Sequence, residues 1–116
     1  MEAADERRLL GLLGLGLRGR LAVVGVDRVR EAARRGTLRV AVLAEDASHH
    51  SREKVERLLA AKAVPIITVA SAAALGEVAG RETTAVIGVV DVQLGKGIRA
   101  LADSAGAVQK GSGRKG

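Results

Sequence analysis

Residues 12–48 read LLGLGLRGRLAVVGVDRVREAARRGTLRVAVLAEDAS, and the hydrophobic period changes three times within them. Leu13 and Leu17 continue a stripe begun by Leu9 and Leu10, at the i, i+4, i+8 spacing of a core-facing helix over residues 5–17. Gly11, Gly14 and Gly16 weaken that helix by up to about 1 kcal/mol each relative to Ala, which close helix packing would offset. Gly19 ends it, and residues 21–24 form a short strand. Gly25 then opens a second helix that runs to Arg35 and stops at Gly36. Val26, Val29 and Ala33 share one face of it, while Asp27, Arg28, Arg30, Glu31, Arg34 and Arg35 cover the other. The run LRVAVLA, residues 38–44, is almost continuously apolar, as suits a strand buried on both faces.

Outward from this stretch the alternation continues. Asp46 is placed to cap a third helix with Val55, Leu58 and Leu59 inward and Glu53 paired to Arg57 one turn on. PIITVA, residues 65–70, reads as a strand, and Ser71 as the cap of a short helix, SAAALGEVAG. Residues 84–90 make a fourth strand, and Asp91 caps a last helix through Ile98 and Leu101. Residues 106–116 carry Gly, Ser, Lys and Arg without an apolar pattern and are expected to form a basic flexible tail. Helices alternating with four strands place the chain in the α/β class, as a three-layer α-β-α sandwich forming one domain over residues 1–105.

Composition narrows the chemistry. The 116 residues contain no Phe, Tyr or Trp, so Leu, Val, Ile and Ala must fill the core. Recognition of bases by stacking on aromatic rings is impossible, which leaves backbone amides, helix starts and basic side chains. There is no Cys, so disulfides, thiolate metal sites and thiol nucleophiles are excluded. The opening MEAADERR lacks the basic-then-apolar order of a signal peptide. The longest uncharged run, residues 63–76, is broken by Pro65 and falls short of the roughly 20 apolar residues that span a bilayer. A soluble, cytoplasmic protein is expected. Net charge is +6, and nine Arg against two acids lie between Arg7 and Arg39, with Lys110, Arg114 and Lys115 near the end. Such clusters suit a polyanion, because each neutralised phosphate releases counterions.

Enzymatic signatures fail on context. Gly14, Gly16 and Gly19 match G-x-G-x-x-G but close a helix and precede a strand, the reverse of a dinucleotide site. Around Leu94-Gly95-Lys96-Gly97 a phosphate loop would need Gly at Val90 and a hydroxyl at Gly97. Lys96 reads instead as a basic residue near a helix start. His49 and His50 are adjacent and diverge, so they do not make a metal site with Glu45 and Asp46. No Ser has a His at a triad-like offset. The expectation is a non-enzymatic protein without cofactor, metal or small-molecule substrate.

Residues 12–48 also resemble the start of the ribosomal L-seven-A-e / L-thirty-e superfamily. There a helix ends in a basic Gly-Arg segment (Arg18-Gly19-Arg20-Leu21 here), followed by a strand, a Gly and an RNA-reading helix (Gly25 to Gly36). The match continues through VPIITVAS, LGEVAGRETTAVIGVVD and LGKGI, covering nearly all but the tail. The resemblance implies an α-β-α sandwich around a small mixed four-stranded sheet, and recognition of a kink-turn, a sharply bent RNA internal loop. It implies that Gly25, Val26, Asp27 and Arg28 offer a helix start to RNA, with Arg18 and Arg20 beside it. The loop before the last strand, with Arg81, Thr83 and Thr84, flanks the same bulge. Members that bind kink-turns carry Gly-x-Asn-Glu-x-x-Lys at this turn. Here those positions hold Asp27, Arg28 and Glu31, so an amide donor is lost and acid replaces the Lys. The reading is binding of structured RNA, ribosomal or kink-turn-like, by a ribosome-associated protein. The alternative is a protein-interaction scaffold on the same fold with a degraded RNA site, and a third is a domain cut from an RNA-modifying enzyme.

Overall fold

A computed structural model of the chain describes residues 1–69 and 71–104 and the backbone of Val108–Gln109. The elements follow in the order α1 (Ala3–Arg18), β1 (Ala22–Val24), α2 (Val26–Arg35), β2 (Val40–Ala44), α3 (His49–Ala61), β3 (Ile66–Val69), α4 (Ala72–Ala79), β4 (Val86–Val89), α5 (Val92–Ser104) and β5 (Val108–Gln109). The four longer strands make a mixed sheet in the order β1-β4-β2-β3, and the two residues of β5 extend it beyond β3. β2 and β3 are parallel; β4 runs against both β1 and β2, and β5 against β3. That short edge strand falls in the stretch expected to be tail; the remainder of residues 106–116 lies outside the described residues, as does Ala70.

Alternation along the strands sorts their side chains into two layers of core. Val40, Val42 and Ala44 of β2, with Ile67, Val69, Ile87 and Val89, pack against Leu9 and Leu13 of α1, Leu75 of α4, and Ile98 and Ala102 of α5. Ala41, Leu43, Ile66 and Val86 face the opposite way, onto Val29, Ala32 and Ala33 of α2 and Val55 and Leu59 of α3. Three helices cover one side and two the other, so the α-β-α sandwich is formed. Every residue of β2 is buried, as its continuous apolar run requires.

Close packing compensates for only one of the three glycines in α1. A Cβ on Gly16 would collide with Leu94 of α5, whereas Gly11 faces open space and Gly14 has only ordinary contacts nearby. Ser71 and Asp91 cap α4 and α5 through Ala74 N (3.0 Å) and Leu94 N (2.8 Å). The expected cap of α3 is corrected: Ser48 holds that helix by accepting from Ser51 N at 3.1 Å. Asp46 reaches across the sheet end instead and accepts from Ala72 N of α4 at 2.7 Å. A residue in the loop after β2 cannot cap the helix three residues on once its carboxylate is turned towards a neighbouring helix.

Candidate nucleic-acid interface

β1, β2 and β3 point the same way, since β1 and β2 both oppose β4, and each leads into a helix. The starts of α2, α3 and α4 therefore meet at one end of the sheet, joined by the loop of residues 80–85 that enters β4. In open α/β sheets this end, outside the carboxyl termini of the parallel strands, is where ligands bind.

Gly25 joins β1 to α2 at φ 101° and ψ 158°, a combination open essentially to Gly alone. Its own N–H donates to Val86 O of β4 at 3.0 Å, and its carbonyl accepts from Val29 N at 3.0 Å. No side chain caps α2. The N–H groups of Val26, Asp27 and Arg28 thus have no protein acceptor among the described residues, where α3, α4 and α5 each spend a side chain on theirs. Nothing lies within 4 Å of where a Gly25 Cβ would stand. The entrance is open.

An open groove of about 350 Å³ begins there, lined by residues 24–28, by His50, Ser51 and Lys54 of α3, and by Arg81. Arg28, Lys54 and Arg81 are exposed and make no ion pair among the described residues; Asp27 is the one acid on the lining. Three unpaired cations and three free amides at the positive end of a helix dipole are an arrangement that can hold an anion. Glu31 lies off it, bonded to Arg35 Nε at 3.0 Å, beside a neighbouring depression.

Arg81 is set by a close approach. The loop that carries it crosses α4 at Gly76, where a Cβ would stand 2.7 Å from the backbone of Arg81 and Glu82. Arg81 N donates to Gly76 O at 2.7 Å and Thr84 N to Ala72 O at 2.9 Å.

Of the residues expected at an RNA site, the structure brings together Gly25, Val26, Asp27, Arg28 and Arg81. Thr83 is exposed on the loop but not on the groove lining, and Thr84 is only 5% exposed, with its Oγ1 buried and unpartnered among the described residues. Thr84 supports the loop. Arg18 folds back along α1, its Nη1 lying 3.8 Å from where a Gly14 Cβ would be. Arg20, at φ 63°, belongs to the turn at the opposite end of β1, where Leu21 O accepts from Val90 N. At about 3.3 Å per strand residue, β1 itself separates Arg20 from the Gly25 groove. His50, Ser51 and Lys54 were not singled out for RNA from sequence. Their i, i+1, i+4 spacing puts them on one side of the start of α3, but only the topology sets that start beside α2.

No helix among the described residues is long and apolar enough to cross a membrane. Residues 9–97 match the model of the Ribosomal protein L7Ae/L30e/S12e/Gadd45 family. The chain is 38% identical over 80 residues to the RNA-binding protein YlxQ of Bacillus subtilis (strain 168), a match spanning 69% of this chain and 80% of that protein. A Bacillus halodurans protein of unknown function is similar in structure, with a TM-score of 0.76 and 30% identity over 82% of this chain and 96% of that one. The 15.5kD RNA binding protein of Giardia lamblia shares the fold at a TM-score of 0.74, with 21% identity and coverage of 90% and 89%. With a family match through the three connections whose residues line the groove, and a curated relative over most of both chains, this protein belongs to the Ribosomal protein L7Ae/L30e/S12e/Gadd45 family.

Proposed function

We propose that this protein binds structured RNA through the Gly25 groove, without catalysing a reaction, as a cytoplasmic, ribosome-associated factor. The observation that carries the reading is the uncapped start of α2, opened by Gly25 and ringed by Arg28, Lys54 and Arg81. Free amides at a helix start donate to phosphate or base oxygens, and guanidinium groups reach phosphates and guanine edges. Family membership and the likeness to YlxQ, an RNA-binding protein, support the same assignment.

The preferred RNA in this reading is a bent internal loop of the kink-turn type. A sharp bend presents unstacked bases and closely spaced phosphates, which suits a concave site in a chain that lacks aromatic rings for stacking. Asp27 in place of Asn weakens that preference, while Glu31, tied to Arg35, does not face the groove.

The test is a titration of the full chain against a duplex containing a bent internal loop and against the same duplex without it, at two salt concentrations. The loop-containing RNA is expected to bind at least tenfold more tightly. Arg28→Gln with Arg81→Gln should flatten the plot of log K against log salt by about 2, at about 0.9 per phosphate contact. Co-sedimentation with ribosomal subunits, lost as salt rises, is expected in cell extracts. A double variant that binds both RNAs with the parent's affinity and the parent's salt slope would refute the assignment of the groove.

A further inference from the structure

The geometry points to a second RNA-binding groove at the opposite end of the molecule, shaped for the phosphate backbone of an RNA segment other than the one held at Gly25. It rests on the reading that the chain binds RNA, but on none of the same residues. At this far end α2 and α3 finish, β2 and β3 begin, and α5 crosses from beneath the sheet. The open groove between them has a volume of about 470 Å³, and its charged lining consists of Arg39, Lys62, Lys96 and Arg99, with no carboxylate.

Several observations separate this cluster from an ordinary solvated surface. None of the four cations forms an ion pair among the described residues, although five such pairs occur elsewhere on the protein. They come from three separate segments, so their convergence is a product of the fold and not of one charged run. Lys62, at the end of α3, complements that helix's negative dipole. Arg39, on the lead-in to β2, and Lys96 and Arg99, within α5, answer to no helix end. The Nε of Arg99 is buried and has no acceptor among the described residues. A Cβ on Gly95 would lie 2.9 Å from the Cβ of Arg39, so α5 rests directly on the Arg39 stem and holds Lys96 and Arg99 close to it. Four unneutralised cations held around one concavity raise the local concentration of a polyanion and release counterions when it binds.

The two grooves are joined by α2. This helix starts at the Gly25 groove and ends at the far one, and it shows Arg28, Arg34 and Arg35 at its surface. Ten residues at about 1.5 Å each put roughly 15 Å of basic surface between the sites. One RNA helix gripped at Gly25 can continue along that surface, or a second helix can lie across the far end. Both supply the same chemistry, a ribose-phosphate chain.

The test uses the exposed members, as Arg39→Gln, Lys62→Gln and Lys96→Gln combined in the full chain, with thermal melting to confirm that the fold persists. Titrated with a plain RNA duplex, this variant should show a salt dependence shallower than the parent's by about 2 to 3, at about 0.9 per contact. The same reduction should appear when Arg28→Gln and Arg81→Gln are already present. An unchanged slope in both backgrounds would overturn the second groove and leave the first intact. Loss of slope from the far-end variant, with none from the Arg28 and Arg81 changes, would uphold the second groove and overturn the Gly25 assignment.

Discussion

Gly25 and Gly76 shape the groove by different means. Gly25 is needed for its backbone: at φ 101° and ψ 158° any other residue is strained by roughly 1–3 kcal/mol, although open space surrounds the site. A Gly25→Val variant is therefore a test of folding as much as of binding, and changes at Arg28 and Arg81 discriminate better. Gly76 is needed for its missing side chain. Gly76→Ala should push the loop of residues 80–85 off α4, lowering stability by about 1–3 kcal/mol in denaturant melts and weakening RNA binding as Arg81 moves. Asp27 works against itself, because its charge stabilises the first turn of α2 and opposes a phosphate in the groove. Asp27→Asn should cost about 0.3–1 kcal/mol of stability. It should also raise affinity for bent RNA several-fold, and an unchanged affinity would place Asp27 outside the interface.

At the scale of elements, the helix ends carry the information. α2, α3 and α4 all start at the groove end of the sheet, and α3 and α4 each have at least one first-turn amide bonded by a side chain while α2 has none. Asp46 ties the loop after β2 to α4, so Asp46→Ala should cost about 0.5–2 kcal/mol, read as a lower melting temperature, and should loosen the adjoining loop. The end of α3 is less well served. Val64 N bonds Leu59 O and Ala63 N bonds Ala60 O, a closing turn that sets Ala63 at φ 58°, where Gly is the residue of choice. Ala63→Gly should stabilise the protein by about 0.5–1 kcal/mol, since the left-handed conformation costs a Cβ about 1–2 kcal/mol and added chain entropy returns part of the gain. A lower melting temperature for that variant would contradict the strain.

Across the whole molecule, the sheet with helices on both sides was legible because each element announces itself locally. The Leu stripe of α1, the charged outer face of α2 and the unbroken apolar run of β2 are one-dimensional signals, and two of the three expected Ser or Asp caps of later helices hold where they were read. The third failed because Asp46 bonds a residue 26 positions away, which no local pattern reports. The site divides along the same line. The Gly25 turn and the helix after it were readable locally, while the resemblance pointed to Gly25–Arg28 and to the loop of Arg81 for RNA, and the structure sets these on one groove. His50, Ser51 and Lys54 were missed, and Arg18 and Arg20 were set beside a groove that β1 holds them away from. Proximity in sequence misled there, because a strand carries its two ends to opposite sides of the molecule. A core without aromatic rings, Leu9 and Leu13 on one side of the sheet and Leu43 and Leu59 on the other, fills both layers of this frame. The frame leaves α2's first amides facing solvent.

Those amides are also the most direct probe. In a titration of isotope-labelled protein with an RNA containing a bent internal loop, followed by amide chemical shifts, the resonances of Val26, Asp27 and Arg28 should move most, with Arg81 and Lys54 close behind. Shifts confined to other surfaces, with those three amides unmoved at saturating RNA, would contradict the account.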